Sequence, residues 1–69
     1  MIEVFKTNVK EVELSEQLIQ QLLSHFPDSQ VNFDMEDCDK ILRIEATTIM
    51  PDKIIEILNA HGYCCEILL

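Results

Sequence analysis

Val31-Asn32-Phe33-Asp34-Met35-Glu36-Asp37-Cys38-Asp39-Lys40-Ile41-Leu42-Arg43-Ile44-Glu45-Ala46 is the stretch that decides the architecture. Val31, Phe33 and Met35 alternate with Asn32, Asp34 and Glu36. Side chains of a strand point to opposite faces in turn, so residues 31–36 read as a strand with one buried and one wet face. Residues 41–46 repeat the pattern, with Leu42, Ile44 and Ala46 inward and Ile41, Arg43 and Glu45 outward. The polar run Glu36 to Lys40 between them is short, as a hairpin connection requires.

Working outward, Leu14, Leu18, Leu22 and Phe26 recur every fourth position, with Ile19 and Leu23 widening the stripe. That spacing predicts a helix over residues 13–26, ended by Pro27 because the residue before proline is pushed out of the helical region. Asn8 with Glu11 resembles a capping box ahead of it. On the other side, Pro51 suits a first helical turn, and Ile54, Ile55, Leu58 and His61 line one face of a helix over 49–61. Gly62 is the expected left-handed stop. Residues 63–68 then form a strand with Tyr63, Cys65 and Ile67 inward and Cys64, Glu66 and Leu68 outward. Residues 1–8 form the opening strand, with Ile2 and Val4 on one side and Glu3 and Phe5 on the other. Either side of that strand could face the core; the reading adopted has Phe5 outward.

The order is βαββαβ. Each helix must cover the apolar side of the sheet, so the expected fold is α+β: a two-layer, ferredoxin-like sandwich with sheet order 4-1-3-2 and both helices on one face. One domain, residues 1–69, fills the chain, since 69 residues leave room for a single core. In this topology one rim collects residues 7–12, the 36–40 hairpin and His61-Gly62-Tyr63.

Five basic against thirteen acidic residues give a net charge of −8. Nucleic acid needs a basic footprint, and an anionic membrane surface needs one too, so neither is an expected partner. No apolar stretch approaches the roughly 20 residues of a membrane span, and the start carries no basic-then-apolar leader pattern, so a cytoplasmic location is expected. Three cysteines are an odd number, and adjacent strand residues such as Cys64 and Cys65 point apart, so three reduced thiols are expected.

Asn32-Phe33-Asp34-Met35-Glu36, Ile41-Leu42-Arg43-Ile44 and Ile54-Ile55-Glu56-Ile57-Leu58 with Gly62-Tyr63 resemble the heavy-metal-associated domain of copper and zinc chaperones and metal-pumping ATPases. The resemblance runs over nearly the whole chain. It implies a metal loop with two cysteines in a Cys-x-x-Cys arrangement between the first strand and first helix. Here that loop reads Thr7-Asn8-Val9-Lys10-Glu11-Val12-Glu13, without cysteine, histidine or methionine. A soft copper(I) ion wants thiolate or thioether, so no family ligand transfers and no metal or other cofactor is expected. Gly62 and Tyr63 alone transfer by position, and both read as structural.

The remaining candidates are few. Cys38, Cys64 and His61 lie in or beside the rim and would be the ligands of a displaced soft-metal site. Against this stands strand order, which holds the hairpin at least two strand spacings, about 10 Å, from the last strand. Asp37 and Asp39 flank Cys38 and disfavour its thiolate. Asp34 to Glu45 has the length of a calcium loop, but Asp39 stands where the sharp turn needs glycine. His61 and His25 read as helix-end cations. No nucleophile–base set or phosphate-cradling loop can be assembled, so no enzyme is expected. The open sheet face, with Phe5, Ile41, Arg43 and Leu68 as candidate contact residues, suits a protein partner or a homodimer, as do the edge strands. A soft-metal carrier using the rim thiols is the alternative function.

Overall fold

The computed structural model describes residues 1–36, 38 and 40–68. The elements run β1 (Ile2–Thr7), α1 (Val12–His25), β2 (Gln30–Asp34), β3 (Ile41–Glu45), α2 (Pro51–Ala60) and β4 (Cys65–Ile67). The four strands form one sheet in the order β2-β3-β1-β4, every neighbouring pair antiparallel. Leu18 and Leu22 of α1 and Ile54 and Leu58 of α2 join Phe5, Leu42 and Ile44 in one buried cluster, completed by Val9 and Ile49. Both helices therefore cover the same side of the sheet. Burying each such side chain contributes roughly 1.5–3 kcal/mol, and the opposite side of the sheet has no helix to add to that.

The helix ends follow from local chemistry. α1 begins at Val12, one residue early, because extended Glu11 is the first carbonyl to accept, from Ser15 N–H at 3.0 Å. The capping box does not form: Glu11 is the N-cap, and no side chain caps the helix. Phe26 N–H still donates to Leu22 O at 2.8 Å before Pro27 stops the chain, and Ser29 closes the turn with its N–H and its hydroxyl on Phe26 O. α2 starts at Pro51 rather than 49 and ends at Ala60 rather than 61. Its stop is a Schellman motif: Gly62 at φ +88° donates to Asn59 O, and Tyr63 N–H to Leu58 O, both at 3.0 Å. Tyr63 packs against the core.

Two strand readings are corrected. Phe5 faces the core and is fully buried, paired with Leu42 on β3 and Ile67 on β4. The outward side of β1 is Ile2, Val4 and Lys6. β4 is shorter than 63–68. Tyr63 N–H is occupied by the helix stop and Cys64 N–H by Asn8 Oδ1 at 2.8 Å, so the ladder starts at Cys65. Cys64 thus precedes the strand instead of lying on its open face, while Leu68 stays in the ladder through an N–H bond to Val4 O at 2.9 Å.

Candidate functional site

At one end of the sandwich, the β1–α1, β2–β3 and α2–β4 connections meet. The first of these ties the other two. Thr7 Oγ1 donates to Lys40 O at 2.6 Å and accepts from Val9 N–H at 3.4 Å. Asn8 Oδ1 accepts from Cys64 N–H. Val9 turns inward and is fully buried. Lys40, in the left-handed region at φ +49°, is held by Thr7 and by its own Nζ on Met35 O at 2.9 Å. The loop that would carry a soft-metal site is thus filled by an apolar plug and laced by backbone-directed hydrogen bonds. Neither Thr7 nor Asn8 stood out as a tether in the sequence; the one ends β1 and the other follows it, and their partners lie 33 and 56 positions away.

The three thiols differ in burial. Cys38 is exposed in the β2–β3 connection, and Cys64 is exposed beside Lys6, Thr7, Asn8 and Asn59. Cys65 is half-buried against the core, and burial, reinforced by the neighbouring Glu66 carboxylate, pushes its thiol up to about 12. It stays protonated at neutral pH and is neither nucleophile nor ready metal ligand. His61, just past α2, lines a cleft of about 510 Å³ with Leu14, Gln17, Leu18, Gln20, Gln21 and Tyr63. That lining holds no carboxylate and no thiol to pair with the imidazole. Cys38, Cys64 and His61 are not brought together, and among the described residues no three His, Cys, Asp or Glu side chains gather for a metal ion. Asp37 and Asp39, the acids expected to flank Cys38 and to weigh on a calcium loop, lie outside the described residues. His25 remains in the last turn of α1, its ring 6.3 Å from that of Phe26.

The open sheet face is set by the ladder register. Three cross-strand rows follow: Ile2, Glu45 and Gln30; then Leu68, Val4, Arg43 and Asn32; then Glu66, Lys6, Ile41 and Asp34. Ile41, Arg43 and Leu68 stand where the sequence placed them. Phe5 does not belong to the face, and Ile2 and Val4, expected inward from the sequence, take its place. Ile2 is 53% and Leu68 43% exposed, large values for apolar side chains. Arg43 reaches Glu45 of its own strand at 3.7 Å, both nearly half exposed. Lys6 could have signalled the right orientation, since it shares the Ile2–Val4 side; Glu3 on the Phe5 side cancelled that signal.

Fold and site together define an α+β domain with a four-stranded antiparallel sheet, one laced rim and one uncovered face. No protein-family model matches the chain, and neither a curated protein nor a solved structure matches it. Among the described residues no helix is long and apolar enough to cross a membrane.

Proposed function

We propose that the chain is a non-catalytic interaction module of ferredoxin-like fold, related to heavy-metal-associated domains but without their metal loop, and that it meets a protein through the open sheet face. The observation that carries this reading is the exposure of Ile2 and Leu68 on either side of half-buried Val4 in neighbouring ladder positions, rimmed by Lys6, Arg43, Glu45 and Glu66. An apolar cluster with a charged rim is the composition of a protein contact surface. The sheet order supports the ferredoxin-like assignment: counted from the other edge it is β4-β1-β3-β2. Three free thiols suit a reducing compartment, and the cytoplasm is the proposed location.

A photo-crosslinking residue placed at Leu68, compared with one at Glu16 on the exposed side of α1, tests the reading in living cells. Protein adducts from position 68 that are absent from position 16 are expected. Equal labelling at the two positions, or none at 68, overturns it.

A further inference from the structure

The open face differs from the rest of the surface in charge. It carries two cations, Lys6 and Arg43, against three carboxylates, Asp34, Glu45 and Glu66, a net of −1 out of the chain's −8. The remaining −7 belongs to the rest of the chain, including exposed Glu11, Glu13, Glu16, Asp52 and Glu56 of the helical layer. A surface so acidic elsewhere and so nearly neutral here is matched to an occupant that is itself nearly neutral at the contact. A second copy presenting the same face meets that condition. Two sheets packed face to face lie about 10 Å apart, and each keeps its helices on the outer side. The helical carboxylates of the two copies are then separated by both sheets, well beyond the Debye length of about 8 Å at physiological salt.

The register supplies complementarity as well as neutrality. A twofold axis can run across the strands, between the Ile2–Glu45 row and the Val4–Arg43 row. It sets Val4 over the partner's Ile2 and Arg43 over the partner's Glu45, and repeats both pairs by symmetry. Leu68 flanks the apolar pairs from the β4 edge. The intrachain Arg43–Glu45 contact, long at 3.7 Å and half exposed, is the one that these two side chains exchange for the intermolecular pair. We infer that this protein self-associates as a face-to-face twofold dimer, centred on reciprocal Val4–Ile2 and Arg43–Glu45 pairs. The inference rests on the interaction reading above and names its partner. Three strands of five or six residues and a fourth of three give only a small contact, at the low end of specific interfaces, so the dimer is weak.

Sedimentation equilibrium up to about 1 mM protein, at low and at physiological salt, tests it. A monomer–dimer equilibrium is expected. R43E turns each reciprocal pair into carboxylate against carboxylate, and E45R turns it into guanidinium against guanidinium. Each variant alone should weaken the dimer by about tenfold or more, while an equimolar mixture of the two re-forms it as a heterodimer, which also establishes that both are folded. An 8.0 kDa monomer at every concentration overturns the inference, as does a dimer unmoved by either variant or a mixture no tighter than its parts. If the wild-type chain stays monomeric while position 68 still crosslinks a heavier protein, the dimer fails and the interaction reading stands. If neither occurs, both fail.

Discussion

The laced rim and the open sheet face are both accessible to solvent, yet they treat their side chains in opposite ways. At the rim, Thr7, Asn8 and Val9 are all turned toward the chain itself, two to backbone groups of other connections and one into the core. On the face, Ile2 and Leu68 stand about half exposed, with half-buried Val4 beside them. Neighbours in sequence thus divide their work: the end of β1 and its loop hold the fold together, and the outward side of the same strand is left for contact. Exposure alone does not mark a contact surface; what the exposed groups are already bonded to does.

The largest effect expected is at Cys65, half-buried in β4 next to the rim. Raising a thiol from 9.0 to about 12 cuts its thiolate fraction at pH 8 about a thousandfold, so iodoacetamide should label Cys65 far more slowly than an ordinary thiol, as read by mass spectrometry of the intact fold. The same shift fixes a pH dependence. The folded state holds the proton more tightly than the unfolded state, so this contribution to stability is complete below about pH 9 and is lost as pH rises toward 12. Urea unfolding at stepped pH should show that alkaline slope in the wild type and a shallower one in C65A.

Next comes the plug. Val9→Ala should cost about 2 kcal/mol in urea unfolding, from lost burial and the cavity left behind. A change near zero would mean that the loop is not filled, and would reopen the rim as a binding site. Asn8→Ala should cost about 1 kcal/mol, since Cys64 N–H loses the Asn8 Oδ1 acceptor. On the face, Leu68→Ser should change stability by less than about 0.5 kcal/mol when measured at low micromolar protein. A loss as large as that of Val9→Ala would show the face to be structural and would erase the contrast.

Much of the fold was legible because the hairpin strands each carry one side that is apolar throughout. Val31 and Phe33 point to the helices against Asn32 and Asp34, and Leu42 and Ile44 against Arg43 and Glu45, as their alternation required. β1 resisted because each side mixes apolar and charged residues: Ile2 and Val4 with Lys6, Glu3 with Phe5. Only pairing across the sheet resolves it, by placing Phe5 beside buried Leu42. The length of β4 was equally hidden, because the hydrogen bonds that delay its start come from Leu58 and Asn8, distant in sequence. The candidate site was half legible for the same reason: Ile41, Arg43 and Leu68 inherit their side from well-patterned neighbours, whereas Ile2 and Val4 depend on β1.

The central place of β1 has a consequence for synthesis. Both its neighbours, β3 and β4, are made after it, beginning at Ile41 and Cys65. As the nascent chain emerges, Ile2, Val4 and Phe5 therefore wait without a strand to pair with until the second half of the polypeptide is available. The sheet therefore closes by long-range pairing, with partners such as Phe5 and Leu42 distant in sequence, a topology that slows folding relative to local contacts.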